Sequence, residues 1–421
     1  MTMMLAMLSV GAAALPSCGD RQQPADAAEG WRTDMAWIRD SLPLLHYDLF
    51  MYQPRESLLV RLERLEARID SIGDMEAALG LTGVLASMEC SHTGIAFWDQ
   101  CEIRAFPLSV IWLEEGIFVT AADTSFAELI GSRLTGYDGR QAEEAAAAMA
   151  GLFSSTNETA TRTSAERFMM LSTCMSALGY GNPEGTTDFV FIRDSGDTTK
   201  LSLAPMDFTY SNMLYFNTAP GVELPIWLSS DDCYWFRYLP DRRMLYCAYN
   251  SCGLMQGYPM ERFVEQLDST LRVNRVADLV VDLRRNGGGN SLVATPLIQW
   301  LRGLPVSGGP RTSLIVGRWT YSSGILNAQE IAAIPGVTVY GERTGGSPNH
   351  LGEVRTAVLP YSGLTVSYPT KYFETVDSPG RTMTPDFEVP LTPDMLFHGS
   401  NRILDLIGSH TRSGVTDPEN E

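Results

Sequence analysis

The segment that most constrains the fold is ADLVVDLRRNGGGNSLVATPLIQWL, at residues 277–301. Its β-branched first part predicts a buried strand that ends near Asp282, and its last part predicts a helix that Asn290 or Ser291 caps. Three consecutive glycines, at residues 287–289, join the two. Because glycine loses more conformational freedom on folding than any other residue, this run indicates a loop that needs an unusual backbone path or a close approach.

Similar strands recur from about residue 230 onward, in MLYCAYN, ADLVVDLR, TSLIVG and VTVYG. Segments with helical patterns separate them. Alternation of this kind is typical of an α/β sheet with crossover helices, and we expect such a core over residues 230–412.

The glycine run can bring backbone amides together on an anion at the start of a helix. A bound phosphate is a poor explanation, because the chain has neither a GxxxxGKS/T nor a GxGxxG motif. Two interpretations remain. The loop is an oxyanion hole of an acyl-transfer site, or it is a purely structural tight turn.

A pair of serines, Ser322 and Ser323, lies in GRWTYSSGILNAQEI, between an apolar run at 313–316 and a helical pattern. Serine is an ordinary helix cap, because its oxygen accepts amides of the first turn. Taken alone, the pair is explained by capping.

The N-terminal sequence MTMMLAMLSVGAAALPSCG predicts a targeting segment over residues 1–18, since its apolar part is too short to span a bilayer. Small residues precede Cys18, and LPSC resembles the lipobox of bacterial lipoproteins, in which a signal peptidase cuts before a diacylated cysteine. Pro16 and the lack of a Lys or Arg before the apolar run depart from that pattern, and a plain secretory signal is the alternative. Residues 19–30 are polar and suit a tether. No other apolar run of 18 residues predicts a transmembrane helix.

Residues 31–95 predict an N-terminal helical domain, in which Leu58 and Leu62 begin a series of apolar residues at three- and four-residue steps. Residues 103–204 predict a small α+β module, with strands around one alanine-rich helix at 143–149.

The charge of the chain excludes nucleic acid as a binding partner. The formal net charge of −19 leaves no basic face for a nucleic-acid backbone.

Six cysteines remain without Cys18, and an even number in an exported protein permits disulfides. Cys233 with Cys247 or Cys252 is a candidate hairpin pair, and free buried thiols are the alternative. No paired CxxC spacing predicts zinc, and we expect no metal or organic cofactor.

Four motifs in order, VVDLRRNGGGN, TYSSG, VYGERTGGSPNHLGE and PDFEV, resemble those of the C-terminal processing (tail-specific) serine peptidase family. The resemblance spans most of residues 85–390. That family joins a helical N-terminal part, an inserted PDZ-like α+β module and an α/β catalytic core, so residues 103–204 are expected to be the PDZ-like module. The resemblance also implies that Ser322 is the nucleophile and that the backbone amides of Ser323 and Gly288 form the oxyanion hole.

The same resemblance implies which group activates the serine. One branch of the family uses a lysine at the position of Ser347, so that dyad is absent from this chain. A tricorn-core-like branch uses a Ser-His pair, which Ser91 and His92 match. An imidazole titrates near neutral pH and can take the hydroxyl proton. His92 is therefore the expected base, and Ser91 orients it or shares the proton relay; a structural turn residue is the alternative for His92.

Further site residues are expected near these motifs. The resemblance implies an acid near the PDFEV motif, for which Asp377 is the first choice and Glu374 the second. Gly287 and His350 are expected to contact the substrate, although His350 has the alternative role of satisfying its own loop.

These observations predict an exported serine peptidase, lipid-anchored to a bacterial membrane on the periplasmic side or at the cell surface. Its substrates would be peptides or proteins. Two alternatives stay open. The chain could be a noncatalytic protein that binds peptides or apolar ligands on the same fold, or a small-ester hydrolase, because a triad does not by itself fix the acyl group.

Overall fold

The structure is a computed structural model, and its described residues are 27–97, 103–182, 185–207, 213–215, 224–377 and 380–413. The predicted signal segment and Cys18 lie outside the described residues, as does Cys101. Within these ranges no helix is both long enough and apolar enough to cross a membrane.

The described α-helices are α1 (Ala27–Asp40), α2 (Leu42–Leu45), α3 (Arg55–Glu66), α4 (Asp74–Ala86), α5 (Ala142–Ala150), α6 (Glu158–Phe168), α7 (Ser172–Ala177), α8 (Met260–Val273), α9 (Thr295–Arg302), α10 (Ser323–Ala332), α11 (Pro393–Phe397) and α12 (Arg402–Ser413).

The described strands are β1 (Gly94–Ala96), β2 (Arg104–Ala105), β3 (Leu108–Leu113), β4 (Gly116–Asp123), β5 (Arg133–Tyr137), β6 (Arg140–Gln141), β7 (Thr187–Ile192), β8 (Thr198–Leu203), β9 (Met206–Asp207), β10 (Met213–Tyr215), β11 (Tyr234–Leu239), β12 (Met244–Tyr249), β13 (Asp278–Asp282), β14 (Arg311–Val316), β15 (Thr338–Gly341), β16 (His350–Val358), β17 (Thr365–Phe373) and β18 (Phe387–Glu388).

The chain divides into two compact units. Of the described residues, the first unit contains those between 27 and 215 together with Asn349–Glu374, and the second contains those between 224 and 348 together with those between 375 and 413. In the first unit the N-terminal helices, the strands of the middle segment and β16–β17 share one hydrophobic core. The helices that the sequence predicted as a separate domain therefore do not have a core of their own.

Helix α1 begins inside the segment predicted as a tether. Ala28, Gly30 and Trp31 are buried, and a Cβ added at Gly30 would overlap the ring of Tyr361. The prediction of a tether is therefore wrong for residues 27–30, because small residues there pack tightly in the first unit. The helical pattern that begins at Leu58 is confirmed as α3, in which Leu58, Leu62 and Leu65 are buried.

The middle segment forms an antiparallel sheet with the strand order β10-β4-β5-β7-β8, in which β3 also pairs with β4 and β6 with β5. The alanine-rich helix is confirmed as α5, but the prediction of a single helix was wrong, because α6 and α7 also lie in this segment. The buried residues of α6 are Ala160, Ala165 and Glu166. Small and charged residues in the core leave no large apolar stripe for a periodicity search to find.

The second unit contains a six-stranded sheet with the order β11-β12-β13-β14-β15-β18. In this sheet β12, β13, β14, β15 and β18 run parallel, and β11 pairs antiparallel with β12 at one edge. Helices α8, α9 and α10 connect successive parallel strands, which confirms the predicted α/β core. The glycine run follows β13 and Ser322 follows its neighbour β14. Parallel neighbours end at the same edge of a sheet, so both loops emerge side by side.

Candidate active site

The glycine loop, residues 286–290, follows the end of β13. Gly288 and Gly289 have φ angles of 110° and 129°, which side chains rarely adopt. A Cβ added at Gly288 would lie 2.8 Å from the Cβ of Ser322, and one at Gly289 would lie 2.6 Å from the carbonyl oxygen of Cys252. Both positions therefore need glycine for conformation and for space, and the loop backbone packs directly against Ser322.

The serine turn, residues 317–323, joins β14 to α10. Ser322 immediately precedes the helix, with φ 51° and ψ −128°, and its side chain makes no capping hydrogen bond. The capping interpretation is therefore wrong for Ser322. A non-glycine residue in such a conformation is strained by about 1–3 kcal/mol. A serine on a sharp strand-to-helix turn is the geometry that presents a nucleophilic hydroxyl outward.

A buried threonine holds the serine turn to the end of β13. The Oγ1 of Thr320 donates to the carbonyl of Leu283 at 2.8 Å and accepts the amide of Gly317 at 3.0 Å. Thr320 is fully buried, so water cannot compete for these bonds. These two bonds fix the serine turn to the end of β13.

Two more hydrogen bonds connect the serine turn to the glycine loop. The amide of Tyr321 donates to the carbonyl of Asn286 at 2.9 Å. The hydroxyl of Ser323 donates to the carbonyl of Gly289 at 2.7 Å. The residues on either side of Ser322 thus each bind one end of the loop, which fixes the loop and the serine as one structure.

The two predicted oxyanion donors differ in their surroundings. The amide of Ser323 belongs to the first turn of α10, where helical geometry provides no i−4 acceptor and the helix dipole favours negative charge. The amide of Gly288 instead donates to the Oδ1 of Asn286 at 3.0 Å. A role for Gly288 as a donor therefore requires that its amide be shared between Asn286 and an oxyanion.

The position of the family lysine has a structural role in this chain. The hydroxyl of Ser347 donates to the carbonyl of Arg381 at 2.9 Å. Its neighbour Gly346 donates its amide to the carbonyl of Thr320 at 3.0 Å. This stretch supports the serine turn from a second side and supplies no basic group.

His92 and His350 come together in the first unit. His92 lies in the turn before β1 with a φ of 65°. Its ring stacks on that of His350, with the centroids 5.9 Å apart, and His350 stacks in turn on Phe373 at 5.5 Å. Ser91, which precedes His92 in the sequence, is also buried. The two histidines that the sequence assigned to base and substrate contact are therefore neighbours.

The protonation of His92 follows from its burial. The pKa of His92 is lowered to about 3, mainly by desolvation and to a smaller extent by the neighbouring His350, while a backbone hydrogen bond with Leu351 acts in the opposite direction. The imidazole is therefore neutral at neutral pH, which is the form that can accept a proton.

His46 is a satisfied core residue. Its Nδ1 accepts the amide of Asp48 at 3.0 Å, and its Nε2 lies 2.9 Å from the hydroxyl of Thr93. Burial lowers the pKa of His46 to about 4, while Asp48 raises it. Both ring nitrogens are occupied, so His46 has no role as a base.

The two candidate acids follow β17. Glu374 and Asp377 are both exposed to solvent. In the PDFEV motif the carboxylate of Asp386 accepts the amide of Val339 at 2.7 Å, which fixes the start of β15. The choice of Asp377 over Glu374 stays a prediction.

The remaining groups that could react or bind a metal are the cysteines, the acidic side chains and Lys371. The described cysteines are free thiols, so the free-thiol alternative holds for Cys233, Cys247 and Cys252. Among the described residues no group of three or more His, Cys, Asp or Glu side chains could hold a metal ion. Lys371 lies on β17 with its Nζ 4.5 Å from the ring centroid of Phe373.

Solved structures resemble this chain over most of its length. It is similar to mature CPAF complexed with lactacystin, with a TM-score of 0.67 and 13% identity over 92% of this chain and 99% of that one. Mature CPAF alone gives a TM-score of 0.64 and 13% identity, over 93% and 99% of the two chains. This chain has the CPAF fold.

A further neighbour is the photosystem II D1 C-terminal processing protease, with a TM-score of 0.41 and 14% identity over 88% of this chain and 98% of that one. No protein-family model matches the sequence, and no curated protein sequence does. The likeness to CPAF confirms the predicted mixed α/β architecture, with helices and several sheets, at the level of the fold.

The structure also adds a site residue that sequence reasoning missed. Asn286 holds the amide of Gly288 through its side chain and the amide of Tyr321 through its carbonyl. A signal for it existed, since asparagine side chains often accept the backbone amide two residues further on.

Proposed function

We propose that this protein is an exported serine peptidase that hydrolyses peptide bonds through Ser322. One observation carries the proposal. Ser322 occupies a strained strand-to-helix turn, with the backbone of Gly288 packed against its Cβ. The CPAF fold and the four sequence motifs support the same function.

In the proposed mechanism, the hydroxyl of Ser322 attacks the carbonyl carbon of the scissile bond and its proton passes to the neutral imidazole of His92. The amides of Ser323 and Gly288 stabilise the charge that develops on the carbonyl oxygen. His92 then returns the proton to the leaving amine, and a water molecule hydrolyses the acyl-enzyme by the same route. Asp377 would stabilise the imidazolium, and Ser91 would orient the ring.

Substrate binding belongs to other parts of the chain in this proposal. The sheet within residues 103–204 would act as a PDZ-like module that captures peptide segments, because such modules bind an extended peptide through backbone hydrogen bonds. Gly287 and His350 would contact the substrate near the scissile bond. We further propose that Cys18 carries a lipid anchor that holds the protein on a bacterial membrane, on the periplasmic side or at the cell surface.

Fluorophosphonate labelling followed by peptide mapping tests the nucleophile. The label is expected on Ser322, and Ser322→Ala should remove it. Ser323→Ala is the matched control: it deletes the neighbouring hydroxyl, which binds the carbonyl of Gly289, so labelling can slow but the label should still map to Ser322. CPAF was solved in complex with lactacystin, so the same compound is a suitable competitor for labelling.

Turnover of two substrate classes separates the alternatives. Cleavage of a mixed peptide library together with labelling supports a peptidase. Labelling with turnover of small esters alone would make the protein an ester hydrolase. An unlabelled protein that still binds peptides would refute catalysis and favour the binding-protein alternative.

A further inference from the structure

Asn286 lies at the centre of a buried hydrogen-bond network beneath the glycine loop. The residue is fully buried. Its Oδ1 accepts the amide of Gly288 at 3.0 Å and lies 3.3 Å from the thiol sulfur of Cys252. The thiol carries one proton, which it can donate either to this oxygen or to the Oδ1 of Asn327 at 3.2 Å.

The opposite side of the same amide group is anchored to the sheet. Its Nδ2 donates to the carbonyl of Tyr249, the last residue of β12, at 2.9 Å. A flipped side chain would face the amide of Gly288 with a donor and the carbonyl of Tyr249 with an acceptor. The orientation of Asn286 is therefore fixed by its partners.

Cys252 connects this network to the far end of the glycine loop. Its amide donates to the carbonyl of Gly288 at 3.0 Å, and its own carbonyl accepts the amide of Asn290 at 2.9 Å. Burial raises the pKa of Cys252 to about 11, so the thiol keeps the proton that it donates. A second buried asparagine, Asn327, also lies within hydrogen-bond distance of this thiol, at 3.2 Å.

The main chain of Asn286 reaches the serine turn. Its carbonyl accepts the amide of Tyr321 at 2.9 Å, and a Cβ added at Gly324 would overlap that same carbonyl. One residue therefore contacts the residue before the serine, the start of the following helix and the amide of Gly288.

We propose that Asn286 is the positioning residue of the oxyanion hole, because its side chain directs the Gly288 amide while its carbonyl holds the turn that carries Ser322. This inference rests on the proposed function. A neutral substrate carbonyl competes poorly with Oδ1 for the amide, whereas a charged oxyanion is a much stronger acceptor. The amide is thus recruited mainly in the transition state, and Asn286 affects turnover more than substrate binding.

The test compares Asn286→Ala with Asn327→Ala. Asn327 is also buried and its Oδ1 also lies beside the Cys252 thiol, but its Nδ2 donates to the carbonyl of Ser291, outside the serine turn and away from the amide of Gly288. For each variant, urea unfolding gives the stability, fluorophosphonate kinetics give the labelling rate of Ser322, and peptide turnover gives kcat and KM.

Asn286→Ala is expected to slow labelling and kcat by roughly 100-fold, the effect of losing one oxyanion donor, with KM changed by less than about twofold. Asn327→Ala should lose stability but keep its labelling rate within about threefold of wild type. Asn286→Ser should label faster than Asn286→Ala, because a serine hydroxyl can still accept the amide two residues on. If Asn286→Ala does not fold, the comparison is made between Asn286→Ser and Asn327→Ala.

Two results would overturn the inference. The first is a folded Asn286→Ala variant that labels as fast as wild type. The second is equal slowing in the Asn286 and Asn327 variants, which would indicate general loosening of the core. A wild-type protein that takes no label at Ser322 would instead defeat the proposed function, before any variant is compared.

Discussion

Replacing Gly288 by alanine perturbs the serine turn directly. The added methyl would lie 2.8 Å from the Cβ of Ser322 and 3.1 Å from the amide nitrogen of Ser323. The nearest atoms are the Cβ of Ser322 and two backbone atoms, none of which belongs to the far end of a flexible side chain that could move aside. The φ of 110° at Gly288 is also one that alanine rarely adopts.

The expected size of the effect follows from these two causes. An unfavourable φ contributes about 1–3 kcal/mol, and overpacking contributes about 1–3 kcal/mol more. Gly288→Ala should therefore lower the free energy of unfolding by roughly 2–6 kcal/mol, which a domain of ordinary stability can survive. If the Gly288 amide stabilises the oxyanion, turnover should fall by about 100-fold to 1,000-fold in the protein that remains folded.

Two other glycines of the second unit provide the controls. Gly257 has a φ of 72° with nothing within 4 Å of an added Cβ, so Gly257→Ala tests the backbone penalty alone. Gly289→Ala crowds the carbonyl of Cys252 and not Ser322, so it tests crowding within the loop. The assay is urea unfolding together with the labelling rate per folded molecule.

The comparison has a clear refuting result. If Gly288→Ala and Gly289→Ala slow labelling equally per folded molecule, the Gly288 amide has no special role in catalysis. If Gly288→Ala unfolds the second unit, the glycine serves backbone geometry, and the functional assignment fails.

Three other predictions concern the base, the acid response and the anchor. His92→Ala should abolish turnover and rapid labelling, while Lys371→Met should leave labelling nearly intact; the reverse result would favour a lysine base. Because burial lowers the pKa of His92 to about 3, the labelling rate should begin to fall only below pH 6.5. The folded-state pKa of His46 is lowered to about 4, so the unfolded state binds more protons than the folded state below pH 6.5. Up to about 3 kcal/mol of the free energy of unfolding should therefore be lost between pH 6.5 and 4. Urea unfolding across that range should show a smaller loss for His46→Gln. Cys18→Ser should move the protein from the membrane fraction to the soluble exported fraction, and an unchanged distribution would refute lipidation.

The core of the second unit could be predicted because its strands are buried on both faces. All residues of β12 and β13 are buried, and such strands appear in the sequence as short apolar runs bounded by turn residues. Helix α6 was missed for the opposite reason, since its core-facing residues are small or charged. Sequence patterns reveal an element when its buried side chains are large and apolar.

The candidate site was predictable in its residue types but not in its connections. Three glycines and two serines indicate an unusual loop and a hydroxyl at a turn. The φ of 51° at Ser322 and the approach of Gly288 depend on how two neighbouring strands end together, which no local pattern specifies. The bonds of Asn286 to Tyr249 and Tyr321 likewise depend on the tertiary fold.

The pairing of β1 with β17 determines when the turn that carries His92 can reach its final structure during biosynthesis. Gly94 in β1 pairs with Ser367, and the His92 ring rests on that of His350. A ribosome releases residues in order from the N-terminus, so the partners of His92 emerge only after Ser322 has already left the exit tunnel. A nascent or prematurely terminated chain that ends between Ser322 and His350 carries the hydroxyl but lacks the strands that support the imidazole. Under the proposed mechanism, unfinished copies of the protein would be unable to digest their neighbours.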